Sequence, residues 1–120
     1  MTNDVYKILT EEEWRQGQAS SKIITKLDLK DGFVHLSTAS QLNASLSLYF
    51  SNESRVVLAQ INLSKIKNNL KYEDASNANN RSGKFPHFYG ILNTNMILKT
   101  WQLERSAFCL PQEVLLQAEQ

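Results

Sequence analysis

Apolar and polar positions change period several times along this chain, and each change marks an element. Val5-Tyr6-Lys7-Ile8-Leu9 is rich in strand formers and predicts a first strand. Thr10-Glu11-Glu12-Glu13 then places a hydroxyl at a helix cap and a glutamate three residues on, so a short helix is expected, with Trp14 on its buried side and Gly17 as its stop. Ala19 to Lys30 carries mixed signals and is read as a loop or short helix leading to an Asp31-Gly32 turn. Phe33 to Ser37 alternates as one short strand. Val34 and Leu36 fall on the core face, and Phe33, His35 and Ser37 on the opposite side, as a cleft wall requires.

Thr38-Ala39-Ser40-Gln41 repeats the capping pattern and opens a helix with Ala39, Leu42, Leu46 and Tyr49 or Phe50 at helical spacing, ending near Ser51-Asn52. Arg55 to Leu63 is nearly continuously apolar, the signature of a central strand covered on both faces. Ser64 to Asn69 reads as a turn or a single helical turn, and Leu70 to Glu73 as a brief strand with Glu73 opposite Leu70 and Tyr72. Ser76 to Lys84 is polar, asparagine-rich and contains Gly83, which predicts a mobile loop. Phe85 to Gly90 returns to the core. Met96 to Arg105 predicts a long strand with Ile97, Trp101 and Leu103 inside, and Pro111 opens a final helix to Ala118. Helices and strands without strict alternation predict an α+β fold in one domain, 1–120.

Composition narrows the function. Thirteen basic against twelve acidic residues give a net charge of +1, which argues against a dedicated DNA, RNA or membrane binder because each needs a basic surplus. The single Cys109 excludes an intramolecular disulfide and a multi-cysteine zinc site, and the two histidines lie too far apart for known zinc spacing, so no metal is expected. Met1-Thr2-Asn3-Asp4 has no signal-peptide pattern and no stretch is long and apolar enough to span a bilayer, so a cytoplasmic location is the expectation. There is no dinucleotide fingerprint or phosphate-binding P-loop.

The chemistry concentrates in Asp31-Gly32-Phe33-Val34-His35-Leu36-Ser37-Thr38 and Phe85-Pro86-His87-Phe88-Tyr89-Gly90, which hold both histidines. If the two runs meet, they form a site. A neutral His35 offers one donor and one acceptor. Backbone N–H groups at the Thr38 helix start suit an anion, against the plain reading of Ser37 and Thr38 as caps. Glu73 is of the type that stabilises positive charge at a breaking glycosidic bond, although a solvated glutamate is the commoner state. Arg81 and Lys84 suit a pyrophosphate, against the plain reading of solvated loop charges. Tyr89 reads as a cleft residue or as a buried tyrosine with one hydrogen bond, and Phe33 shares the face of His35.

These two runs, together with Tyr6-Lys7-Ile8, Trp14 and Gln41, resemble the family called domain of unknown function 952. The resemblance implies the ADP-ribosylation fold of ADP-ribosyltransferases and RNA 2′-phosphotransferases: split mixed sheets with a few short helices and a cleft for NAD or an ADP-ribosylated intermediate. It implies a ribose contact for His35, with Ser37 and Thr38 similar to the small polar residues that follow the motif histidine. It also calls for a stacking aromatic, for which Tyr49, Tyr72 and Tyr89 compete, and a late glutamate, for which Glu73 and Glu104 compete. Arg81, Lys84 and His87 match the basic and histidine groups of the phosphotransferases. The expectation is a nucleotide-binding domain, an ADP-ribosyl or phosphoryl transferase or a glycohydrolase with NAD as candidate substrate. The alternative is a non-catalytic binding module that keeps the fold.

Overall fold

A computed structural model describes residues 4–50, 52–74, 84–104 and 114, the side chains of residues 48 and 49 excepted. In chain order the elements are β1 (Val5–Thr10), α1 (Glu11–Ser20), β2 (Lys22–Ile23), α2 (Lys26–Asp31), β3 (Val34–His35) and β4 (Ser37–Thr38). A 3-10 turn (Ala39–Gln41) leads into α3 (Leu42–Tyr49), followed by β5 (Arg55–Ile61), α4 (Leu63–Ile66) and β6 (Leu70–Asp74). The last described elements are β7 (Lys84–Phe88), β8 (Leu92–Asn93) and β9 (Ile97–Glu104). The Ser76 to Gly83 part of the asparagine-rich segment, Cys109 and, apart from Val114, the Pro111 to Ala118 helix lie outside the described residues.

The fold is α+β. One sheet has the order β4-β1-β5-β9, a second β3-β7-β6, and β2 pairs with β8. The expectation of mixed sheets is corrected: every strand pair among the described residues is antiparallel. Parallel neighbours need a crossover element between them, and no described helix serves as one.

β5 sits between β1 and β9, as its continuous apolar run requires. Its alternation feeds two cores. Val57, Ala59 and Ile61 join Val5 and Leu9 on one face, with Val34, Leu36, Phe88 and Leu92 closing over them. Val56 and Leu58 join Tyr6 and Ile8 on the other, covered by Leu42 and Leu46 of α3, Leu103 and Val114. Of the residues expected inside β9, Leu103 is buried, while Ile97 and Trp101 are half-buried at the margins of the two cores.

Two expectations change here. The run from Phe33 to Ser37 is not one strand. β3 belongs to the three-stranded sheet and β4 to the four-stranded one. Leu36 crosses between them, its N–H donating to the Pro86 carbonyl at 3.1 Å while its side chain fills the core. Gly17 does not stop α1. The capping box at Thr10 forms as expected, but the helix runs on to Ser20 and ends at Ser21, whose backbone turns left-handed (φ 67°) and whose N–H donates to the Gly17 carbonyl. Glycine is needed at position 17 for space: a Cβ there would stand 2.4 Å from the Cδ1 of Ile23, which is itself buried.

Glycine to alanine inside a helix ordinarily stabilises by about 1 kcal/mol. Gly17→Ala is expected to do the opposite, costing about 1–3 kcal/mol through overpacking. Ile23→Val, which removes the clashing methyl, should recover part of the loss in the double variant. Chemical denaturation of the three variants checks this; a more stable Gly17→Ala would show that α1 and β2 are not in close contact.

Candidate functional site

Lys7 lies on the face of β1 that carries Val5 and Leu9, within the first core, and is only 5% exposed. A buried ammonium must be paired or it costs several kcal/mol. Its partner is Asp28, equally buried. The ammonium donates to Oδ1 at 3.1 Å and to the His35 carbonyl at 3.0 Å. It lies closer to Oδ2, at 2.8 Å, although at an angle that makes this contact an ion pair and leaves Oδ2 without a hydrogen bond. α2 delivers Asp28: Thr25 caps the helix by accepting the Asp28 N–H, which fixes the carboxylate one turn before Gly32 (φ 83°) ends it.

His35 completes the cluster. Its backbone N–H donates to Asp28 Oδ1 at 3.0 Å. Its Nδ1 lies 2.7 Å from the same oxygen, and its Nε2 lies 2.8 Å from Asp31 Oδ2. Two ionised carboxylates accept and do not donate, so both are satisfied at once only by the doubly protonated ring. Burial works to raise the Asp28 carboxyl, but the hydrogen bonds from His35 and the charge of Lys7 outweigh it and hold the group below its usual value.

His87 stands directly opposite His35 in the β3–β7 register, with ring centroids 5.7 Å apart. Phe33 stacks on the His87 ring at 4.1 Å and tilts against His35 and Tyr89 at 4.5 and 5.4 Å. The Nδ1 of His87 is 2.9 Å from Glu73 Oε1 on the neighbouring strand β6, and the Tyr89 hydroxyl donates to the same oxygen at 2.7 Å. The Tyr89 bond first, then the His87 bond, hold the Glu73 carboxyl below its ordinary range. The same bond to Glu73 pushes the Tyr89 phenol up. His87 Nε2 has no hydrogen-bond partner among the described residues.

A cavity of about 610 Å³ opens beside the two histidines. Its position follows from the sheet break. β4 pairs with β1 only at Val5 and Tyr6, so the edge of β1 from Lys7 to Thr10 has no neighbouring strand on that side, and the cavity occupies the gap. Lys7 and Thr10 form one wall, Lys30 and Asp31 of α2 another, and His35, Ser37 and His87 a third. Ser45 and Glu53 line the remaining side. Ser37 and Ser45 are hydrogen-bonded, their oxygens 3.0 Å apart. Lys30 and Glu53 have no side-chain hydrogen bond or ion pair among the described residues.

The structure thus brings His35, Ser37 and His87 to one hollow and leaves other expected residues outside it. Glu73 and Tyr89 sit behind His87 and are not on the lining. Tyr89 has the expected single bond but is exposed rather than buried. Thr38 is not on the lining either. Its N–H donates to Gln41 Oε1, and Gln41 donates onward to the Lys84 carbonyl, so that N–H is spent within the fold. Lys84 opens β7, pairs with Asp74 across the strand on the surface and is not on the cavity lining. Arg81 and the side chain of Tyr49 lie outside the described residues. No group of three or more His, Cys, Asp or Glu among the described residues could hold a metal ion, and no helix among them is long and apolar enough to cross a membrane.

Sequence assigns no site role to Lys7, Asp28, Lys30, Asp31 or Glu53, although Asp31 opens the first histidine run and Lys7 falls in the Tyr6-Lys7-Ile8 segment. The lysine in the otherwise apolar run Val5-Tyr6-Lys7-Ile8-Leu9 was the available signal, because a charge among core positions requires a buried counter-charge nearby.

Asp28→Asn leaves Lys7 buried without its counter-ion and is expected to destabilise the domain by about 3–5 kcal/mol at neutral pH. Because the folded carboxyl titrates below its unfolded value of 3.8, its contribution is present above that value and is lost as pH falls through the folded one. The gap between parent and variant should therefore stay constant from neutral pH down to about 4 and narrow only below it. Urea unfolding across that range measures it; a gap that closes above pH 5 would contradict the pairing.

No curated protein matches this chain. Among solved structures it is similar to protein CC0527 from Caulobacter crescentus. The crystal structure of that protein shares 28% identity over 96% of this chain and 98% of that one, with a TM-score of 0.77. Its solution NMR structure gives 27% identity, 99% and 100% coverage, and a TM-score of 0.76. The model of the family described as protein of unknown function DUF952 matches residues 8–100, and the chain belongs to that family.

Proposed function

We propose that this domain binds a small hydroxyl- and phosphate-bearing ligand of the nucleotide class, with NAD or ADP-ribose as the nearest candidates, in the cavity at the break between the two larger sheets. One observation carries the reading. The cavity is of ligand size, within the roughly 300–1,000 Å³ common for such sites, and three of its polar groups have no partner among the described residues: His87 Nε2, the Lys30 ammonium and the Glu53 carboxylate. A hydrogen-bond acceptor, a cation and a carboxylate suit a sugar hydroxyl, a phosphate and a further hydroxyl in turn. A cavity between antiparallel sheets also supports the ADP-ribosylation-like fold as the architecture to which the domain is assigned in this proposal.

The first histidine changes role in this reading. His35 has both nitrogens on carboxylates, so it shapes the wall, and the ribose contact passes to His87. Glu73, held by Tyr89 and His87, is set back from the lining, where it cannot stabilise charge on a bound sugar directly. That placement favours the binding-module alternative over an ADP-ribosyl transferase that uses Glu73 as its acid.

The test is a thermal shift and calorimetric titration with NAD and with ADP-ribose. A ligand at ten times its Kd stabilises the fold by about 1.4 kcal/mol, several degrees of Tm. Lys30→Ala, at an exposed position, is expected to weaken binding about tenfold without altering the unliganded Tm, as loss of one charge-assisted contact does. Chromatographic detection of free nicotinamide after incubation with NAD separates an enzyme from a binder. If neither compound shifts Tm at millimolar concentration, the nucleotide reading is wrong.

A further inference from the structure

We propose that His87 is the proton-accepting group of this cavity and that Glu73 is its positioning residue. The inference rests on the reading that the cavity takes a ligand, and it names the group that would act on one. It is built from how the two imidazoles are used. Both nitrogens of His35 face carboxylates, so that ring has no lone pair to offer. Among the described residues His87 is engaged on one side only. The Glu73 carboxylate accepts the Nδ1 proton at 2.9 Å, which leaves the lone pair of the neutral ring on Nε2. Glu73 is in turn held by the Tyr89 hydroxyl, and Phe33 covers the face of the ring. A base oriented by an acid, itself fixed by a third group, is the arrangement that activates hydroxyls in nucleophilic catalysis. Here it is backed against a polar cavity that His87 lines.

The step is a proton transfer. The O–H bond of a ligand hydroxyl or of a water in the cavity breaks, its electron pair stays on oxygen, and its proton goes to Nε2. The resulting imidazolium keeps its Nδ1–H on Glu73, whose negative charge balances it. The oxygen so activated forms a bond to an electrophilic carbon or phosphorus of the ligand as the bond from that atom to its leaving group breaks; the electron pair of that bond departs with the leaving group, which takes the proton from Nε2 and so returns the ring to its neutral form.

With two histidines in the chain, the assignment can be read directly by diethyl pyrocarbonate modification of the folded domain followed by peptide mass analysis. Ranked by side-chain exposure, His35 (23%) should react before His87 (5%). Ranked by free nitrogens, the order reverses, and His87 is expected to react about tenfold faster because His35 must first break a charge-assisted bond. Faster reaction at His35, or none at either ring, overturns the proposal. Nitrogen NMR above the usual imidazole titration range, at about pH 8, should show His87 as the Nδ1–H tautomer. Glu73→Ala should convert it to the Nε2–H form that free histidine favours; an unchanged tautomer removes Glu73 from its role. Tyr89→Phe, which leaves Glu73 in place, should preserve the tautomer, and its loss in that variant would overturn the assignment of Glu73 as the group that sets it. Finally, ADP-ribose should slow the modification of His87. A reactive His87 that ADP-ribose does not protect would reject the nucleotide reading while leaving the base assignment intact.

Discussion

A lysine buried in the core organises this structure. Lys7 alternates with Val5 and Leu9 on a strand face that otherwise meets hydrocarbon, and its register partner on β5 is the small Ala59. An uncompensated ammonium there would cost more than a domain of this size can spare. The solution draws on distant parts of the chain. Thr25 caps α2 so that Asp28 points inward, Asp28 reaches Lys7, and the His35 carbonyl supplies another acceptor. Because Asp28 also accepts the His35 N–H and the His35 ring, one carboxylate ties β1, α2 and β3 together. That tie sets where β3 begins, and the β3–β7 register then places His87 opposite His35.

The same constraint explains the hollow. A continuous strand from Phe33 to Thr38 would pair along the whole free edge of β1. Instead the chain leaves one sheet at His35 and joins another at Ser37, with Leu36 as the pivot anchored in the core and on the Pro86 carbonyl. β1 is paired on that side only at its first two residues, and polar side chains from α2 and from the α3–β5 connection reach the gap without filling it. Membership of the DUF952 family and the likeness to CC0527 place this architecture in a known family without assigning it an activity.

Much of this was legible in the chain. The capping box at Thr10 and the double-sided burial of β5 follow from local pattern, because each is decided by residues near one another in sequence or by simple period; the sequence marked both histidine runs but left open whether they meet, which the β3–β7 register decides. What escaped sequence reading depends on tertiary charge pairing. Asp28 looks like any acidic residue in a short polar helix until Lys7 is placed beside it. The break at Leu36 is also invisible to alternation, since Val34, Leu36 and their neighbours keep strand period across it. Gly17 shows the limit of punctuation rules: its place in the pattern predicts a stop, whereas the close approach of Ile23 is what demands it.

The two histidines divide their work by what their neighbours leave free. Proximity alone would make them equivalent, since they face each other across one strand pair and share Phe33 as a lid. Their carboxylates make them different. Asp28 and Asp31 occupy both ends of His35 and make it a strut between α2 and β3. Glu73 occupies one end of His87, a residue of the cavity lining, and the other end has no partner among the described residues. A ring held from both ends serves the fold, whereas a ring held from one end, with its orienting acid locked by a phenol, has a defined direction in which to accept a proton. In the proposal made above, the chemistry of the site therefore lies on the second histidine, and the first supplies the rigidity that keeps the second in place.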